Sequence, residues 1–150
     1  LLVPVSVFAE LLSYEVPQPL PDTPGWLAGT VEWRGGCLPV LNMAPEVPRA
    51  DGNLRLAVLW ALSDVRADRA YAVLVDGVPV LHPATADTLQ PAPGEHAVFV
   101  AAHAYANGER VVIPDLDAIE SALLANVWGE QVTRKGSAQF ASGHPANTPV

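Results

Sequence analysis

Cysteine and lysine are almost absent from this sequence: each occurs once, as Cys37 and Lys135. A single thiol can form neither an internal disulfide nor a multi-cysteine zinc site, so a reducing compartment, the cytoplasm, is expected. Charge is scarce too, at 16% of residues, and it leans acidic, with a formal net charge of −8. Nucleic acid and anionic membrane surfaces both select a basic footprint, so neither is expected as a partner. No run reaches the roughly 18 uncharged apolar residues of a membrane helix, so direct insertion is not expected. Residues 1–9 are apolar but lack the basic n-region and small-residue cleavage site of a signal peptide.

Chemistry is equally hard to find. No His-x-His or His-x₃-His pair offers a metal site, and no Gly-rich loop offers a phosphate cradle. A hydrolase triad of Asp76, His82 and Ser63 can be imagined, but there is no nucleophile-elbow pattern and the spacing carries no motif. His82, His96 and His103 read as satisfied or exposed side chains. Cys37, between Gly36 and Leu38, reads as a small buried hydrophobe rather than a nucleophile. No catalytic, cofactor or metal residue is therefore expected.

What the chain does have is apolar sequence, 50% of its residues, enough to bury a core in one domain of 150 residues. The spacing predicts a domain over residues 1–128 and a polar, mobile tail over 129–150. Residues 1–7 read as an edge strand interrupted by Pro4, and one helical turn fits within 6–12. Pro17, Pro19, Pro21 and Pro24 force an extended connector. Residues 27–33 and 37–42 form a hairpin around Arg34, Gly35 and Gly36. Strands follow at 54–62, 70–75 and 78–81, then a Pro-rich loop over 83–94. Strands at 96–103 and 110–113 flank the Asn107-Gly108 turn. Leu116, Ile119, Leu123 and Val127 then fall on one helical face. Asp117 with Glu120 fits a capping box, with Asp115 adding charge at the N-terminus. Many short strands and one C-terminal helix imply an all-β class.

The stretch Leu20-Pro21-Asp22-Thr23-Pro24-Gly25-Trp26-Leu27-Ala28-Gly29-Thr30-Val31-Glu32-Trp33-Arg34-Gly35-Gly36-Cys37-Leu38-Pro39-Val40-Leu41-Asn42-Met43 is more specific. It has a Pro-Gly turn, an apolar run into Gly, an Arg-Gly hairpin turn and a Pro-hydrophobic strand. Downstream come Ala72-Val73-Leu74-Val75-Asp76-Gly77-Val78 and Val112-Ile113-Pro114-Asp115-Leu116-Asp117. In this order the blocks resemble the CheW-like domain family, over about residues 3–124. The Glu32-Trp33-Arg34-Gly35 form looks like the divergent ChpC-type members of type IV pilus chemosensory systems, since most CheW proteins carry Asn where Glu32 stands. Asn42 stands where the family has Asp.

The resemblance implies two small five-stranded SH3-like barrels around a shared core, with a C-terminal helix. It implies that the family's first strand is missing here, leaving an open barrel edge for self-association. It implies a non-catalytic adaptor that joins the regulatory domain of a CheA-type histidine kinase to the cytoplasmic tip of a chemoreceptor, in chemotaxis or twitching motility. The alternative is a regulatory domain cut from a CheA- or CheV-type protein; an alternative of another class is a small hydrolase. The implied interaction surface comprises Gly29, Val31, Glu32, Trp33, Arg34, Gly35, Pro39 and Val40.

Residue chemistry leaves choices within that surface. Gly29 marks either a close backbone approach or a bulge, or plain packing. Arg34 presents a planar guanidinium to a partner, or pairs internally with Glu32 or another acid. Trp33, on the face opposite Glu32 and Arg34 in a regular strand, is either core or an exposed anchor. Asp64, Arg66, Asp68 and Arg69 read as a solvated loop tip.

Overall fold

The computed structural model describes residues 1–45, 51–62, 69–83, 85–95 and 97–129. Strands β1 (Phe8–Ser13), β2 (Leu27–Trp33), β3 (Gly36–Leu41), β4 (Leu54–Trp60) and β5 (Ala70–Asp76) form one sheet in the order β1-β4-β5-β3-β2. Strands β6 (Leu89–Pro91), β7 (Val100–Ala106) and β8 (Glu109–Pro114) form a second sheet in sequence order. Helix α1 (Leu116–Leu123) continues into a π-helical turn, Leu124–Trp128. The pairing is antiparallel except between β3 and β5.

The apolar runs 56–60 of β4 and 70–75 of β5 are explained by burial on both faces. On one face Leu56, Val58, Ala70, Ala72 and Leu74 pack with Val31, Leu38 and Val40. On the other, Leu59, Tyr71 and Val73 pack against Ile119, Leu123, Val127 and Trp128 of the helix. The period-2 alternation of strand side chains divides each run between two cores. The helical face read from the sequence is the one that docks, with Ile119 and Leu123 fully buried.

Several expectations meet a different structure. Two five-stranded barrels were implied; the described residues form one five-stranded and one three-stranded sheet. Residues 1–7 form no strand. Leu2 N–H donates one bond to the Val112 carbonyl, and Val5–Val7 is a 3₁₀ turn entered from Pro4, whose fixed φ of −60° suits that entry. Strand pairing begins at Phe8, where a helical turn fitted the sequence. Residues 78–81 also form no strand. Pro79 removes a ladder donor, and Val78, Val80 and Leu81 stand exposed. Inside the Pro-rich loop the short β6 pairs with β7. β7 starts four residues later than expected because Phe99 takes φ 67°, outside the range a strand tolerates. The expected loop tip at Asp64, Arg66 and Asp68, together with Ser63, His96 and the tail from residue 130, lies outside the described residues; Gly129 is still helical.

The capping box also gives way. Asp115, not Asp117, is the N-cap, its Oδ1 accepting from Ala118 N–H at 3.0 Å. Glu120 turns inward, is 1% exposed and accepts the Leu62 N–H at 2.7 Å. The Leu62 backbone donor takes the Glu120 carboxylate in place of the reciprocal bond of the box. Asp115→Ala is expected to cost about 1 kcal/mol, read as a lower denaturant midpoint at unchanged slope; no change would assign the cap to another group.

One further arrangement prepares the site. The proline connector lies against β2, with Gln18 N–H donating to the Thr30 carbonyl (2.8 Å) and Thr30 N–H to the Gln18 carbonyl (2.9 Å). Gly29 permits the approach. A Cβ there would stand 2.2 Å from the Gln18 oxygen, and its φ of +141° is open to glycine alone. The register of β2 shifts between Leu27 and Gly29. Close approach and bulge thus coincide at this residue.

Candidate functional site

Arg34 and Gly35 are the two loop residues of the β2–β3 hairpin, with φ of 49° and 77°. Two positive φ values are what a type I′ turn requires, and that turn matches the twist of paired strands. An arginine in this conformation is uncommon and costs about 1 kcal/mol. Its side chain gains other partners. The guanidinium carbon lies 4.4 Å from the Trp33 ring centroid and 5.7 Å from that of Trp60. The two indoles pack with centroids 5.6 Å apart, tilted by 58°. Arg34 also pairs with Glu10 at 3.3 Å, and Trp33 Nε1 donates to the same Glu10 oxygen at 2.8 Å.

Glu10 lies in β1 and Trp33 in β2, the two edges of the five-stranded sheet. A hydrogen bond between edge strands requires the sheet to curl until its ends meet. The curl is fastened here by side chains: one carboxylate bridges an indole N–H and a guanidinium. Beside this fastening lies an open depression of about 310 Å³, lined by Trp33, Arg34, Cys37, Trp60 and Arg69 among others.

Two sequence expectations change at this tip. Of the internal acids open to Arg34, its partner is Glu10 and not Glu32: Arg34 sits in the turn rather than the strand, so strand alternation does not apply to it, and it folds back over Trp33 toward Glu10. Cys37 is exposed rather than buried. It pairs in register with exposed Glu32, next to the turn, and the interior begins one residue later at Leu38. Arg69 is half-buried, with its guanidinium 5.8 Å from the Trp128 ring centroid, rather than part of a solvated tip.

With this geometry in hand, comparison with known proteins decides the family. The model of the CheW-like domain matches residues 1–123. The chain belongs to the CheW-like family. Among solved structures it is similar to the scaffolding protein TtCheW from Thermoanaerobacter tengcongensis, with a TM-score of 0.57 and 18% identity over 73% of this chain and 77% of that one. No curated protein sequence matches. The CheW-like domain is a non-catalytic scaffolding domain, and this chain is read as one.

Within this CheW-like domain the residues singled out from sequence divide into two groups. Glu32, Arg34 and Gly35 are exposed and Trp33 is half-buried, so these four form surface. Gly29, Val31, Pro39 and Val40 are buried beneath them and hold the hairpin. The sequence reading missed Glu10 and Trp60. Both reach the tip through strand pairing over long sequence separation, which no local pattern encodes; only the place of Trp60 at the end of an apolar run could have flagged it.

The titratable groups elsewhere have ordinary structural roles. His103 Nε2 lies 3.0 Å from the Glu95 carbonyl, and His82 Nδ1 lies 3.5 Å from Asn107 Nδ2. Burial, reinforced by the Glu120 carboxylate, pushes the Tyr71 phenol far above its usual range, so it stays protonated. Among the described residues no three His, Cys, Asp or Glu side chains gather as a metal site needs, and no helix is long and apolar enough to cross a membrane.

Proposed function

We propose that this CheW-like domain is a cytoplasmic adaptor that couples the regulatory domain of a CheA-type histidine kinase to a chemoreceptor tip. The observation that carries the reading is the exposed hairpin tip: Arg34, held at positive φ over Trp33 and Trp60, in the Arg-Gly position of the family pattern. Glu32, Trp33, Arg34 and Gly35 supply contact, while Gly29, Val31, Pro39 and Val40 fix the strands under it. Arginine and tryptophan are the residue types that anchor protein interfaces. An adaptor needs no turnover: it works by holding partners at high effective concentration in a set geometry. The output is chemotaxis or twitching motility, and the Glu32-Trp33-Arg34-Gly35 form is the feature that favours the second, so the partner is a CheA-type kinase of either system.

Calorimetry against the regulatory domain of that kinase tests this. Saturable binding in the micromolar range is expected, weakened at least about tenfold by Arg34→Glu. The thermal transition should barely move, because the Arg34–Glu10 pair is exposed, 60% and 38% at the two side chains, and such pairs contribute about 1 kcal/mol or less. Unchanged affinity would remove the hairpin tip from the interface. Unfolding of the variant would make Arg34 a structural residue instead.

A further inference from the structure

The depression beside the hairpin tip combines two indoles with two guanidiniums, in a chain whose net charge is −8 and which has only eight basic residues. Two of those eight, Arg34 and Arg69, line this one place. The chemistry of the corner is already in use: Glu10 rests its carboxylate against the Trp33 N–H and the Arg34 guanidinium. That contact engages one of the five N–H donors of Arg34, and the side chain is 60% exposed. A guanidinium laid across indole faces is also oriented in advance, so little freedom is lost when a second carboxylate arrives.

From this we infer that the depression is the docking place for an acidic side chain of the partner protein, a glutamate next to an apolar residue. The inference rests on the adaptor reading for its claim that the ligand is a protein. The carboxylate meets the Arg34 guanidinium, and the methylenes and apolar neighbour cover Trp33 and Trp60. The recognition is charge-assisted on an aromatic floor, which sets it apart from a purely apolar contact. An acidic chain that binds an acidic segment gains specificity from this, because the rest of its surface repels that segment.

The test uses the full chain and two small probes, N-acetyl-Glu-Leu-amide and its isostere N-acetyl-Gln-Leu-amide. The indole N–H resonances of the four tryptophans are followed by NMR and assigned by single Trp→Phe variants. Saturable shifts at Trp33 and Trp60 with the glutamate peptide are expected, with Trp26 and Trp128 unmoved. The glutamine peptide should bind about tenfold more weakly. Arg34→Gln should erase that difference while the Trp26 and Trp128 resonances stay in place, which shows the fold retained. Equal response to both peptides, movement at Trp26 or Trp128 instead, or no shift at all would overturn the inference. None of these readouts requires the kinase domain. Loss of kinase binding with the peptide preference intact would count against the adaptor reading, and the converse pattern against the acidic docking place.

Discussion

Gly29→Ala is expected to destabilise the domain by about 3 kcal/mol or more. Two independent effects combine there. The backbone φ of +141° lies where only glycine is comfortable, and the new Cβ would be driven to 2.2 Å from the Gln18 oxygen. Relief requires either the β2 bulge or the proline connector to move, and both hydrogen bonds between Gln18 and Thr30 are lost if the connector leaves. Gly36→Ala is the control. Its φ is unexceptional and the nearest atom to an added Cβ is 3.9 Å away, so a change within about 0.5 kcal/mol is expected. Equal denaturant midpoints for the two variants would mean that the connector adjusts freely and that Gly29 is not required by it.

Trp128→Ala should be at least as damaging, at about 3–5 kcal/mol. The side chain is 2% exposed, lies 6.3 Å from the Tyr71 ring and receives the Arg69 guanidinium on its other contacts. Typical domains have a total stability of about 5–15 kcal/mol, so this single truncation removes a large part of it. A fall in thermal midpoint of about 10 °C is expected, followed by circular dichroism. Trp128 lies beyond residue 123, where the family match ends. A small effect would mean that the folded unit stops there, and that the π-helical turn is an appendage.

What the sequence revealed depended on the range of the interaction concerned. The β2–β3 hairpin was legible because its signals are local: Gly35 and Gly36 follow Arg34 between two apolar runs, and glycine pairs of this kind mark hairpin turns. The docking face of the helix was legible because Ile119, Leu123 and Val127 repeat at helical spacing. The family likeness was carried by the same local blocks. The start of the chain was misread, since an apolar run with Pro4 suits an edge strand as well as a 3₁₀ entry, and only pairing of β1 with β4 separates them. Val78 and Val80 carried strand propensity without a partner strand to realise it. At the candidate site, Arg34 and Trp33 were visible, but Glu10 and Trp60 became neighbours only when the sheet curled. Cys37 was assigned inward because its neighbours are apolar, whereas its register opposite Glu32 faces it out.

The proline connector has a consequence for how this protein behaves at high concentration. A β-strand edge can recruit another chain as long as it offers free amides and carbonyls in sequence, which is how sheets grow into fibrils. Along the outer side of β2, Thr30 already spends both of its backbone groups on Gln18. Gln18 is flanked by Pro17 and Pro19, neither of which has an amide hydrogen to offer. The strap therefore interrupts the edge at Thr30, and what it presents in exchange is a residue between two prolines, on which no regular ladder can be built.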